Sequence, residues 1–394
     1  MPDLMELMED WNGYANASDI SRPEGYERKL TEVNDLLSNA KGLPSHLHYA
    51  KLMEALTTSD FPLLFADVLD RQMLAAYKAT PPVWKPYTKL STVPRISPQV
   101  GGYRFSMRGG DEHLDKVAEK GEYLASDRNA DRYAISVDKY GRQFDISWES
   151  MINDDLSALN DTPARFAMSA QRTEHRVVVL QYAYDETAGA GAAVHAVGGP
   201  LYSTAAAELN MSAALLTVAN LEAAVQVMSG RTDAAGEPIF CRAKYLVVPP
   251  SLEFTARQIL TSTQLTATDD AAGVARVWPT TNVIAQYGLQ LIVDPYLPAA
   301  SQVNTPATPN SANSQWYLFS DPNDIRVIEA AHLSGHERPE ICMKASNKVT
   351  VGGGSINPMS GDFATDNVFY RVKLVFGATT LDWRGTYAGG LTAG

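Results

Sequence analysis

The sequence predicts an α+β fold in which an extended arm and a projecting ribbon precede a long helix and a compact α/β domain. Three observations carry this expectation. The hydrophobic period switches from helical to two and back along the chain. After Pro163, residues 164–186 contain no glycine or proline. A long alternating segment, Val368 to Phe376, closes the chain.

Taken in order, the first 45 residues are polar, acidic and weakly patterned, punctuated by Pro23, Gly25, Gly42 and Pro44. They read as an extended arm. A helix follows over roughly 60–78. Ser59 or Asp60 caps it, Pro62 sits in its first turn, and Phe65, Leu69, Met73 and Tyr77 recur every four residues. Pro81, Pro82 and Pro86 then predict an extended path through VWKPY.

Over 92–150 the period is two. Tyr103, Phe105 and Met107 alternate with polar residues, as do Tyr133, Ile135 and Val137. DKYGR reads as a turn, after which Phe144, Ile146 and Trp148 resume the alternation. The charged stretch between the first two runs buries little of itself, so these residues form a two-stranded excursion that must rest on another surface. The next element is a helix over 162–186, with Asp161 and Thr162 as capping types and Pro163 at its first position. At ~1.5 Å per residue its length is about 40 Å, enough for a spine.

Residues 213–324 alternate helices and strands. Thr217 caps a helix with Leu221, Val225 and Met228 on one face, which Gly230 ends. KYLVVPP, GLQLIVDPYL and QWYLF are strands, and SLEFTARQIL is a helix with Leu252, Ala256, Ile259 and Leu260 on one side. SQVNTPATPNSANS is a surface loop by composition. Strand-like runs return in IRVIEAAHL and in DNVFYRVKLVF, which completes a sheet begun earlier. The predicted divisions are 1–90 (arm), 91–150 (extended loop), 151–212 (long helix), 213–324 (α/β domain) and 325–394 (return strands).

Charge and composition narrow the function. The net charge is −12, with 33 Lys plus Arg against 45 Asp plus Glu. Gripping nucleic acid needs the opposite sign, so if this chain surrounds DNA it acts as a container. Cys241 and Cys342 lack metal or redox spacing and fit a reducing compartment. The N-terminus has no signal-peptide pattern, and no run reaches the ~18 apolar residues of a membrane span. The chain therefore reads as soluble and made in the cytoplasm.

No catalytic constellation, cofactor site or metal site emerges. His332 and His336 have helical metal spacing, but Gly335 and Pro339 argue for exposed loop histidines. His46 and His48 have no third ligand nearby. GAGAA at 189–193 follows a helix, whereas a dinucleotide fingerprint must follow a strand. GGGS at 352–355 lacks the Lys of a phosphate loop and reads as a turn. Asp154 and Asp155 suit the positive end of the following helix. Asp127, Arg128, Asp131 and Arg132 read as a solvated face or an intersubunit salt-bridge set. Asn16 and Asn210 match the glycosylation pattern without a secretory context.

The order arm, helix, ribbon, long helix, α/β domain and return strands resembles the major capsid proteins of tailed bacteriophages, of the Hong Kong 97 type. The resemblance lies in AEKGEYLASDRNADRYAISVDKYGRQFDISWESMINDDLSAL, in YLVVPPSLEFTARQIL with YGLQLIVDPYL, and in DNVFYRVKLVFGATTLDWRGTYAGG. TTSDFPLLFADVLDRQMLAAYK also resembles the arm of one subgroup. Together these cover about residues 50–390. The resemblance implies a shell subunit and not an enzyme. It implies an axial domain (213–324) meeting copies around pentamer and hexamer axes, and a peripheral domain (151–212 and 325–394) meeting them at threefold positions. The extended loop would cross a neighbour, making Arg104, Arg108, Glu119, Lys120 and Arg128 candidate intersubunit contacts.

Further partners expected are a portal, decoration proteins at the 301–314 loop, and a scaffold that is separate or removed before residue 1, since no charged coiled coil precedes the arm. DNA is enclosed without sequence-specific binding, and no membrane is involved. Lys116 and Lys120 lie in the ribbon, but nothing marks an asparagine partner, so no isopeptide crosslink is expected. The alternatives are an encapsulin, a gene-transfer-agent shell, or an α/β enzyme with an unrecognised site.

Overall fold

The structure is a computed structural model describing residues 73–78, 82–96, 103–107, 130–147, 156–183, 201–203, 209–232, 236–269, 276–299, 313–344, 346–348 and 361–390. Its strands are β1 (Lys89–Val93), β2 (Tyr103–Met107), β3 (Ala130–Ala134), β4 (Asp138–Ile146), β5 (Met211–Ser212), β6 (Ala243–Val248) and β7 (Gln264–Asp269). They continue with β8 (Arg276–Thr281), β9 (Gln290–Val293), β10 (Trp316–Ser320), β11 (Ile328–Leu333), β12 (Glu340–Met343), β13 (Val368–Thr380) and β14 (Thr386–Gly389). The longer helices are α1 (Leu156–Tyr182), α2 (Val218–Ser229), α3 (Glu253–Thr261) and α4 (Val283–Tyr287). The mixed helix and sheet content is that of the predicted α+β class.

The chain divides into two compact units. One comprises the described residues of Met1–Pro81, Lys139–Arg172 and His336–Val375. Residues 73–78 are helical here, and Met73 is buried with Ala167 and Val372, as the apolar stripe predicts. Phe65 and Leu69 lie outside the described residues. Phe144 of β4 stacks between Phe166 and Tyr370, with ring centroids 4.7 and 5.1 Å away. β12 runs antiparallel to β13, with Glu340 opposite Lys373 and Met343 opposite Tyr370.

DKYGR is not a turn: β4 passes straight through it. The glycine serves a close backbone approach instead. A Cβ on Gly141 would lie 2.7 Å from the Val372 carbonyl oxygen. The expected start of the long helix also moves. α1 begins at Leu156, so Asp161 and Thr162 are not its caps and Pro163 lies inside it. Leu156, Ala158 and Leu159 favour helix and carry it past the one backbone bond that proline forfeits.

The second unit comprises Pro82–Asp138, Thr173–Gly335 and Phe376–Gly394. VWKPY is not extended. Lys85–Tyr87 forms a single 3-10 turn in which the Lys85 N–H donates to the Pro82 carbonyl at 3.3 Å. The fixed φ of Pro86 suits a first turn, and the bend buries Trp84 and Tyr87. Trp84 packs on Phe376, and Tyr87 stacks on Phe319 at 5.0 Å.

A mixed sheet of order β5-β14-β10-β6-β9 forms the core of this unit. β6 pairs parallel with β9 and antiparallel with β10, and every residue of β10 is buried. α2 and α3 cover the sheet through Leu221, Val225, Met228, Ala256 and Ile259. The Thr217 hydroxyl caps α2 by accepting from the Asn220 N–H at 3.3 Å, as its sequence position predicts. Gly230 ends α2 with φ −90°, so it acts as the terminal residue without entering the left-handed region. The β7–β8 hairpin was not anticipated. β11 pairs antiparallel with Phe376–Thr380 of β13 and parallel with β1. The predicted apolar face of β13 (Val368, Tyr370, Val372, Leu374, Phe376) is buried throughout.

Candidate functional site

The ribbon residues come first. β2 and β3 pair antiparallel over five residues, the two-stranded start that the alternation predicts. Arg104 stands in β2 opposite Tyr133, and Asp131 and Arg132 stand in β3 opposite Ser106 and Phe105. Arg108, Glu119, Lys120 and Arg128 lie outside the described residues, as do His46, His48, Asp154, Asp155, the 189–193 and 352–355 glycine runs, and most of the 301–314 loop.

The most elaborate polar cluster is one that residue spacing did not reveal. Asp294 follows β9 at an Asp-Pro turn and is 0% exposed. Its Oδ1 accepts from the Tyr296 N–H at 2.8 Å, closing the turn on itself. Its Oδ2 accepts from the Tyr182 hydroxyl at 3.0 Å and lies 2.9 Å from His175 Nε2. Tyr87 reaches the same oxygen at 3.5 Å and Tyr182 at 3.2 Å. His175 and Tyr182 are seven residues apart on α1, so they share a face with buried Val178 and Val179.

Burial pushes the Tyr87 and Tyr182 hydroxyls well above the ordinary tyrosine range, and the nearby Asp294 charge adds to it. Histidine, carboxylate and tyrosine within hydrogen-bond reach are the parts of a general acid–base site. Here all four side chains are buried. The cluster is a structural pin that satisfies a buried carboxylate from every side. A polar residue on an otherwise apolar helix face was its only sequence signal.

Arg231 is also buried. Its Nη2 donates to the Leu209 and Thr386 carbonyls at 3.4 and 3.3 Å, and its guanidinium lies 4.7 Å over the Trp383 ring. Burial lowers it to about 10, so it remains charged at neutral pH. Burial also pushes the Cys241 thiol up to about 11.

His332 is not an exposed loop residue. It lies in β11, buried, with its ring 5.0 Å from that of Phe376, because Gly335 and Pro339 act only after the strand has ended. His336 is partly exposed, as expected. Its Nδ1 lies 2.5 Å from Glu340 Oε1, and Glu340 Oε2 lies 3.0 Å from Lys373 Nζ. Burial raises the Glu340 carboxyl, but hydrogen bonds from His336 and Lys373 outweigh it and leave it below the usual glutamate range. Among the described residues, no group of three or more His, Cys, Asp or Glu is placed to hold a metal ion, and no helix is long and apolar enough to cross a membrane.

Comparison with known proteins adds the following. Residues 132–389 match the family described as phage capsid protein. No curated protein matches the chain. Among solved structures, one from Gordonia phage Cozz is similar at 12% identity and TM-score 0.45, covering 78% of this chain and 85% of that one. One from Mycobacterium phage Patience is similar at 10% identity and TM-score 0.44, covering 84% and 87%. The SrpI encapsulin complex of Synechococcus elongatus is similar at 11% identity and TM-score 0.39, covering 78% and 86%.

Proposed function

The chain belongs to the phage capsid protein family, and from that premise we propose that its copies assemble as pentamers and hexamers into an icosahedral head around double-stranded DNA. It is a structural protein of the virion that self-assembles into a capsid, and it is not an enzyme. Family membership and the α+β architecture agree with the Hong Kong 97-type fold that the resemblance implies. The observation that carries the proposal is the family match across 132–389, which includes residues of both compact units.

In this reading the 213–324 segment forms capsomer contacts, and the ribbon crosses a neighbouring copy. Arg104, Arg108, Glu119, Lys120 and Arg128 then face other subunits. A ribbon this charged gains little from packing on its own chain, which supports an external partner. The net charge of −12 supports a shell that encloses DNA without binding it, because phosphate contacts require clustered Lys and Arg. A separate scaffold and a portal complete the assembly, with decoration proteins at 301–314, and the chain is synthesised in the cytoplasm of a bacterial host.

Electron microscopy of the full chain, expressed alone and with its neighbouring genes, tests the proposal. Shells, tubes or capsomers are the expected result, and a homogeneous small oligomer would overturn it. The ribbon has its own test. Deleting residues 108–126 should abolish normal shells, and normal shells from that deletion would sink the intersubunit role.

A further inference from the structure

Arg231 is a buried cation that its own chain satisfies only in part. It follows Gly230 at the end of α2 and is 7% exposed. Its Nη2 donates to the Leu209 and Thr386 carbonyls. Nε and Nη1 are buried and have no partner among the described residues, so no carboxylate there is bonded to them. Buried donors left without an acceptor are rare, and an ion or a water is the usual explanation. The guanidinium keeps its charge in this setting. What is missing is therefore both an acceptor and a counter-charge.

The surroundings favour an anion. Asp382 caps a 3-10 turn, Trp383–Gly385, by accepting from the Arg384 N–H at 3.0 Å. The turn sets the Trp383 ring 4.7 Å from the Arg231 guanidinium and 5.0 Å from that of Arg384. Arg384 Nε donates to the Thr232 carbonyl at 3.0 Å, and its Nη1 lies 3.5 Å from the same Asp382 oxygen. Its Nη2 makes no bond among the described residues. Two cations thus share one close carboxylate. The Asp382 charge is felt at Arg231 without a bond, and the Arg384 charge opposes it. Burial keeps the adjacent Cys241 thiol neutral, and the Asp324 charge is felt at that thiol. Asp233 lies outside the described residues. Trp383 and Arg384 are partly exposed, which places the two guanidiniums close to solvent.

We propose that Arg231 and Arg384 hold a small oxyanion of the phosphate class, bound by the guanidinium donors that this chain leaves unpaired. Guanidinium N–H groups and phosphate oxygens match in charge and in hydrogen-bond geometry. The inference is independent of the capsid reading and stands or falls without it. A chain of net charge −12 has no general attraction for anions, so saturable binding reports a built site.

The test is equilibrium dialysis of the full chain against radiolabelled inorganic phosphate, with ionic strength held constant by chloride. Wild type should show a single saturable class of phosphate, and phosphate should raise its melting temperature. Arg231→Gln should abolish both effects. Arg384→Gln changes a partly exposed side chain and should weaken binding by about tenfold or more without unfolding the subunit. It carries the test should Arg231→Gln fail to fold. Absence of saturable binding by wild type means that water alone meets the unpaired donors, and overturns the proposal. Undiminished binding by both variants places the ion elsewhere and does the same.

Discussion

Two histidine–carboxylate pairs in this molecule stand in opposite surroundings. In one unit, His175 and Asp294 meet at 2.9 Å with the carboxylate sealed from water. In the other, His336 and Glu340 meet at 2.5 Å with both side chains partly wet. Inside, every lone pair of Asp294 must find a protein donor, and Tyr182, Tyr296 and His175 supply them. Outside, water substitutes for any partner that leaves. The same residue types therefore make a pin in one place and a modest surface bond in the other.

Removing the sealed carboxylate should cost most. Asp294→Ala takes the carboxylate from His175 and leaves the Tyr87 and Tyr182 hydroxyls only each other, and should lower unfolding free energy by about 3–5 kcal/mol in urea titrations of the subunit. A loss under about 1 kcal/mol would erase the contrast between the two pairs. Tyr182→Phe keeps the ring packing on Phe319 and Tyr317 and removes one donor to Asp294. It should cost about 1–2 kcal/mol by the same titration.

Glu340→Gln should cost least, below about 1 kcal/mol at neutral pH. Its effect should also depend on pH. The folded-state carboxyl lies below its ordinary range, so its stabilisation is fully present above about pH 4.3, the ordinary glutamate value. It is lost as pH falls through the lower folded-state value. Melting curves of wild type and variant should therefore differ at pH 7 and converge in acid. A gap that widens in acid would contradict the ion-pair geometry.

The sequence made the two networks unequally legible. His336 drew notice only through its spacing from His332, as a metal pattern, and its ion-pair partner Glu340, four residues on, went unread. Asp294 lies over a hundred residues from Tyr182, and no local pattern links them. Elements with strong local chemistry were readable: the Thr217 cap, the apolar face of β13, and the buried strands KYLVV and WYLF. Elements decided by tertiary contact were not. DKYGR has turn composition, yet β4 runs through it because its glycine meets another backbone. Pro86 suggested extension, yet burying Trp84 and Tyr87 favoured a turn. β7–β8 carries Pro279, which weakens its strand signal. Among the ribbon candidates, strand alternation correctly placed Arg104 in a β-ladder, while the remaining four lie outside the described residues.

Two glycines where β13 meets other backbone, Gly377 within it and Gly141 in β4, have a consequence for how its pairing finds its place. Strand register is normally set by the difference between a wet face and a dry one. At Leu374, Val375, Phe376 and Gly377 both faces are buried, so that distinction vanishes. Steric notches replace it. Gly141 admits the Val372 carbonyl, and a Cβ on Gly377 would meet the Ser136 carbonyl oxygen at 2.0 Å. A slip of one residue at either point would drive a side chain into a peptide. The two glycines act like teeth of a key: they store no energy themselves, but only one alignment lets the strands close.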